Sequence, residues 1–154
     1  MRKLNPEYVA AVSREVNRCP YFDLISMRIR GLDWGESLLE MSVQGKHLQP
    51  FGNVHGGVYA GLVDAAAFWA VYSQVDGDTG MTTVEMKLNY LAPASEGVFI
   101  ARGKSIKVGK TLCLGEASVE DGQGTLLAHG TSTMMLLKEL SIYAGVPLPP
   151  KFLD

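Results

Sequence analysis

From Gly56 to Val75 the chain is apolar almost all round, and Asp64 is the only charged residue between His55 and Asp76. A helix that is apolar on every face must be buried among other elements. The stretch also holds Ala60, Gly61, Ala65, Ala66, Ala67 and Ala70, small residues that let another backbone approach closely. It contains a charge and falls short of a bilayer span, so it reads as a core helix, not a membrane helix. Any fold for this chain must therefore cover one long helix and accommodate one carboxylate within it.

The flanking segments supply the cover. Residues 5–18 read as an amphipathic helix, with Asn5 as cap, Pro6 at the first helical position and Val9, Val12 and Val16 on one face. Cys19-Pro20 stops it. From Tyr21 the pattern Phe22, Leu24, Ile25, Met27, Ile29 suggests a strand, and Ser37–Val43 a second, with a turn over Gly31–Gly35. Gly45–Asn53 is a loop rich in turn formers. After the apolar helix, Met81–Leu91 alternates, placing Thr82, Val84, Met86, Leu88 and Tyr90 on one face and Thr83, Glu85, Lys87 and Asn89 on the other. Val98–Val108, Leu112–Glu120 and Thr125–Leu137 complete the set, joined by turns at Gly109-Lys110 and Asp121-Gly122. This order predicts an α+β fold, an antiparallel sheet wrapped around the long apolar helix. At 154 residues the chain is expected to be one domain, with residues 1–19 as an N-terminal helix and 138–154 as an irregular tail.

The formal net charge of −2 sets up no field for nucleic acid or an anionic membrane, so neither is expected as a partner. Cys19 and Cys113 are far apart and make no metal-spaced cluster, so two reduced thiols and no metal are expected. The N-terminus, MRKLNPEYVAAVSREVNR, has no apolar core of signal-peptide type, and a cytoplasmic location is expected.

Candidate chemistry concentrates between His47 and Asp64. Gly56-Gly57 stands where a loop meets the start of the long helix. Free backbone N–H groups there attract negative charge, and without a Cβ a substrate carbonyl can approach them. The same glycines also serve a bare turn. A carboxylate in an apolar helix is costly unless stabilised, and burial favours its protonated form, which makes Asp64 a candidate general base. A hydrogen-bonded structural aspartate is the plainer alternative. Gly56 and Asp64 are eight residues apart, about 12 Å along a helix axis, whereas a base must lie within about 3 Å of its proton or act through one water. A dimer in which Gly56 of one subunit faces Asp64 of the other resolves the mismatch, and the small helix residues fit close helix pairing. Gln49 can hold a substrate or water or satisfy its own loop, His55 reads as structural or carbonyl-orienting, and Thr83 can position a water.

The run Gly52-Asn53-Val54-His55-Gly56-Gly57, with Asp64 on the following helix, resembles the G-x-x-H-G-G…D signature of phenylacetate-pathway (PaaI-like) hotdog thioesterases. Thr83-Val84-Glu85-Met86, Asn89-Tyr90, Ala92-Pro93-Ala94 and Gly109-Lys110-Thr111 fit the same family, over roughly residues 20–137. The resemblance implies a hotdog fold and hydrolysis of acyl-CoA thioesters by a homodimer or homotetramer with no cofactor besides the CoA of the substrate. It implies that Gly56 polarises the thioester carbonyl, that Asp64 of the partner subunit activates water or attacks, and that Thr83 assists the water. Asn53 and Gly57 of the motif are implied to contact substrate. Gln49 stands where the family often carries Asn, one methylene longer and still an amide. A thiolate is a good leaving group, so one oxyanion donor and one carboxylate can suffice. Arg102, Lys104, Lys107 and Lys110, with the exposed backbone of Gly109, are candidates for the CoA phosphates; protective lysines on a strand edge are the alternative. Phe68, Trp69 and Tyr72 serve either an acyl pocket or core packing. Two other activities compete: a hotdog dehydratase or hydratase acting on acyl-CoA or acyl-carrier protein, to which His47 with Pro50 points, and a non-catalytic acyl-CoA binding module.

Overall fold

The computed structural model describes residues 2–142 and 146–153. Strand β1 (Lys3–Leu4) leads into helix α1 (Pro6–Asn17), whose first turn is capped by the Asn5 side chain accepting from Glu7 N at 3.0 Å. A short helix α2 (Pro20–Leu24) precedes β2 (Met27–Asp33) and β3 (Glu36–Ser42). A single 3-10 turn (Gly45–His47) and a loop lead to the long helix α3 (Gly56–Tyr72). Strands β4 (Thr79–Tyr90), β5 (Val98–Val108), β6 (Leu112–Glu120) and β7 (Leu126–Lys138) follow, and β8 (Phe152–Leu153) ends the described chain.

Strands β2 to β7 form one antiparallel sheet in the order β2-β3-β5-β6-β7-β4, and α3 lies across its inner face. This is the expected hotdog architecture. The helix sits close against the sheet. A Cβ on Gly103 of β5 would stand 2.0 Å from the Ala66 carbonyl oxygen, and one on Gly115 of β6 would stand 2.9 Å from that of Ala67. The Ser37 hydroxyl of β3 donates to the same Ala66 carbonyl at 2.6 Å. Ala66, Ala67 and Ala70 are fully buried. Ala66 and Ala67 thus lie against the chain's own sheet, whereas Ala60 and Gly61 stay partly exposed on another side of the helix. Phe99, Leu39, Met41, Leu62, Leu127 and Met134 fill the remaining space.

Three local expectations are corrected. The segment after Cys19 starts as helix α2, because Pro20 pre-sets a helical first position and only Phe22 of Pro20–Leu24 is buried; Ser26, at φ 57°, then redirects the chain into β2. The strict alternation of β4 fails at Val84, where a bulge pairs Thr83 with Met134 and Glu85 with Thr133. An inserted residue reverses the phase of everything beyond it, so Thr83 shares the inner face with Met86, Leu88 and Tyr90. The stretch 138–154 is not wholly irregular: β7 runs to Lys138, and β8 pairs antiparallel with β1, although 143–145 and the last residue lie outside the described residues.

That tail carries an unforeseen buried amine. Lys151 is 6% exposed, donates to the carbonyls of Tyr72 and Val75 at the end of α3, and lies 3.7 Å from the centre of the Tyr72 ring. Burial pushes the Lys151 ammonium down to about 7, against a smaller opposite pull from Asp76. A neutral amine still has two N–H donors for the two carbonyls. At pH below about 7 both folded and unfolded chains are protonated there, and the cost of the buried charge is at its full value. Between about 7 and the ordinary 10.5 the unfolded chain holds a proton that the folded chain lacks, so stability rises with pH. Thermal midpoints taken from about pH 6 to about pH 9 should rise in the native protein and stay flatter in Lys151→Met; equal slopes in the two would contradict this. Separately, Gly103→Ala should destabilise the fold by about 3 kcal/mol in urea titration, since a new Cβ must displace helix backbone; an unchanged midpoint would rule out the close approach.

Candidate active site

Only six residues of α3 are less than fully buried: Gly56, Gly57, Ala60, Gly61, Asp64 and Phe68. Their spacing of three and four puts them on one stripe, the side that the sheet leaves partly open. The helix that reads as apolar all round therefore has one open side, with Asp64 at its middle.

At the head of the stripe His55 is the N-cap, and its Nδ1 accepts from Gly57 N at 2.8 Å. The Val58 amide donates to the His55 carbonyl at 2.9 Å. Among the described residues the Gly56 N–H has no partner, so of these first amides it is the one left for a ligand. Because Nδ1 of His55 accepts, the neutral ring carries its proton on Nε2. The Tyr90 ring packs on Gly56, where a Cβ would meet it at 3.1 Å.

Asp64 is half-buried, more open than its apolar neighbourhood suggested. Its Oδ1 accepts from Thr83 Oγ1 of β4 at 2.8 Å and from Ser132 Oγ of β7 at 3.3 Å. The bulge at Val84 brings Thr83 to it. Tyr21 of α2 reaches over Gly61, where a Cβ would stand 2.5 Å from the phenol oxygen. Burial, and secondarily the charge of Asp64, push the Tyr21 phenol up, so it remains a donor at neutral pH. Phe68 stacks on Tyr72 and meets Trp69 edge-on; Trp69 and Tyr72 are buried core, while Phe68 stays half-buried on the stripe.

The loop residues are largely engaged with one another. Gln49 N donates to the Asn53 carbonyl at 2.8 Å, and the Gln49 side-chain oxygen accepts from Phe51 N. Leu48 and Val54 form a bridge, which leaves Phe51 92% exposed at the tip. Buried His47 accepts from Gln44 N at Nδ1 and contacts the Ile25 carbonyl through Nε2, both at 2.9 Å. Burial pushes its imidazole down and keeps it neutral. Neither ring nitrogen is left for catalysis.

The basic residues do not converge on Asp64 within one chain. Arg102 and Lys104 line a groove of about 590 Å³ on the outer face of the sheet, with Glu36, Glu116, Ser118 and His129. Lys107 pairs with Leu114 on that same outer side, and Lys110 lies at the β5–β6 turn. The Gly109 N–H, expected to be open, donates to the Leu112 carbonyl at 3.1 Å. Gly56 and Asp64 lie eight residues apart on one helix, about 12 Å.

Two residues escaped the sequence reading. Ser132 was signalled by its register, a hydroxyl on the buried face between Gly130 and Met134. Tyr21 was hidden because its segment reads as a strand.

The thioesterase superfamily model matches residues 51–128. Acyl-coenzyme A thioesterase 13 of Homo sapiens is 32% identical over 104 residues, covering 66% of this chain and 74% of its own. The 1,4-dihydroxy-2-naphthoyl-CoA hydrolase of Listeria monocytogenes is 27% identical over 117 residues, covering 76% of this chain and 95% of its own. A thioesterase family protein from Silicibacter pomeroyi superposes with a TM-score of 0.76 at 30% identity, over 85% of this chain and 98% of that one. The chain belongs to the thioesterase superfamily. Its fold is the hotdog, and it is a thioester hydrolase in class, as the motif implied.

The Tyr21–Gly61 contact generates a test by double-mutant cycle. Gly61→Ala should cost about 1–2 kcal/mol in the native background and under about 0.5 kcal/mol when Tyr21 is already alanine. Equal costs would mean that the phenol does not rest on Gly61.

Proposed function

We propose that the protein hydrolyses acyl-CoA thioesters at a site shared by two copies of the chain. The supporting observation is the stripe on α3: an unpartnered Gly56 amide at its head and a hydroxyl-held, half-open Asp64 further along. The Gly56 N–H of one subunit donates to the thioester carbonyl. Asp64 of the other accepts a proton from water as the water oxygen attacks the carbonyl carbon. The C–S bond then breaks, the proton passes to the departing CoA thiolate, and the free acid remains. The names of the human and Listeria relatives support CoA as the carrier. His55 serves by fixing the glycine turn, Gln49 and Asn53 by closing the loop beside it. Lys107 and Lys110 at the β5–β6 turn are the candidates for CoA phosphates, with Arg102 and Lys104 behind them on the outer face.

The proposed partner surface is the edge of β4. The opposite edge, β2, is capped, because the Asn17 side chain accepts from Ile29 N at 2.7 Å and donates to Ile29 O at 3.1 Å. Among the described residues strand β4 pairs only with β7, and Val84, Tyr90 and Leu91 are exposed along or beside it. An open edge is a template for a second strand. Burial of His47 with both ring nitrogens occupied argues against the dehydratase alternative.

Free-thiol release from phenylacetyl-CoA, benzoyl-CoA and hexanoyl-CoA tests the activity directly. Asp64→Asn should fold normally and lose at least about a hundredfold in kcat. Release from none of the three, or an unimpaired variant, would defeat the proposal. Sedimentation of the active enzyme should give a dimer or larger; an active monomer would remove the shared site.

A further inference from the structure

We infer that Ser132 is a positioning residue for hydrolysis: with Thr83 it grips Asp64 by Oδ1 alone and leaves Oδ2 as the oxygen that faces water. This rests on the reading of Asp64 as the base.

The argument starts from where the two hydroxyls come from. Ser132 is 0% exposed on the inner face of β7, where its neighbours on that face are Gly130 and Met134. Packing alone would be served by alanine, and a buried hydroxyl needs an acceptor. The acceptor it finds is Asp64 Oδ1, which also accepts from Thr83. Ionised carboxylates offer about four lone-pair sites over two oxygens, yet both donors converge on one oxygen. Among the described residues Oδ2 has no hydrogen-bond partner.

The convergence depends on the bulge. Ser132 pairs with Met86, and Thr83 pairs with Met134, the next inward position along β7. Without the extra residue at Val84, the alternation of β4 would turn Thr83 outward. With it, donors from two adjacent strands bracket one carboxylate oxygen. A single donor leaves an aspartate free to turn about its side-chain torsions and exchange its oxygens. Two donors from rigid strands fix the carboxylate plane before substrate arrives, which is the preorganisation that proton transfer requires. The same geometry revises the part played by Thr83. Its one hydroxyl proton is committed to Asp64, so it orients the carboxylate and does not donate to the attacking water.

The experiment measures kcat and KM for thiol release from the best of the three CoA thioesters. It compares Ser132→Ala, Ser132→Cys and Thr83→Val, each alone, and places Ser132→Ala also with Thr83→Val and in the Asp64→Asn background. Ser132→Ala should lower kcat about tenfold and leave KM within about twofold. Ser132→Cys, a weaker donor of similar shape, should fall between alanine and the native protein. Combining Ser132→Ala with Thr83→Val should cost more than the product of the single losses, because the carboxylate is then released. Against Asp64→Asn the serine substitution should cost nothing further. A native kcat in Ser132→Ala, or a loss that persists undiminished in the Asp64→Asn background, overturns the role of Ser132 while leaving the base in place. Full activity of Asp64→Asn overturns both. Should Ser132→Ala fail to fold, Ser132→Cys decides on the same two readouts.

Discussion

The close seating of α3 on its sheet sets the terms for everything else. Gly103 and Gly115 have no side chain because the helix carbonyls of Ala66 and Ala67 occupy that space. At this separation only alanine-sized residues fit on the sheet-facing side of the helix, and Ala66, Ala67 and Ala70 supply them. Larger side chains, such as Leu62, Val63 and Val71, fill the flanks and are fully buried. What remains is a single line of residues that the sheet does not bury, touched from it by Thr83 and Ser132 at Asp64 and by Tyr90 at Gly56. A carboxylate is tolerable on that line and nowhere else on the helix, since only there can it combine water with hydrogen-bond donors.

The same seating underlies the proposal that one chain holds only half a site. A straight helix presents Gly56 and Asp64 to the same side but about two turns apart. On the proposed mechanism the two groups serve one thioester only when a second helix runs alongside. The fold leaves one sheet edge free for that. Asn17 closes the β2 edge with a pair of hydrogen bonds, whereas β4 presents Val84 and Tyr90 to solvent. The bulge at Val84 sits on this open edge and also delivers Thr83 to Asp64, so edge geometry and carboxylate geometry are coupled through one inserted residue.

Much of this was legible in the sequence. The apolar helix with its single charge, the glycines at its start and the four later strands were all marked by pattern and punctuation. The failures have physical causes. Periodicity cannot register a bulge, because the extra residue is visible only in the pairing with β7, so alternation alone places Thr83 on the wrong face. Tyr21–Ile25 alternates enough to resemble a strand, but Pro20 and a local turn decide for helix. Lys151 lies among prolines that suggest disorder, and nothing local indicates that the carbonyls of Tyr72 and Val75, more than seventy residues earlier, await it. Small residues on a helix announce a close neighbour without saying whether it is a sheet or another helix. Here the sheet takes Ala66 and Ala67, and Tyr21 of α2 takes Gly61.

The central claim is that each catalytic site draws Gly56 from one chain and Asp64 from another, and complementation tests it most directly. Gly56→Pro removes the N–H while suiting the first helical position, and His55 at φ −63° and ψ 138° already has the extended backbone that precedes proline. Gly56→Pro and Asp64→Asn chains, each inactive alone, would be co-refolded in equal amounts and assayed for thiol release. A shared site predicts recovery of about a quarter of native activity, because half the dimers are mixed and each mixed dimer rebuilds one of its two sites. No recovery from mixed dimers verified by mass would place both groups in the same chain's site and contradict the account.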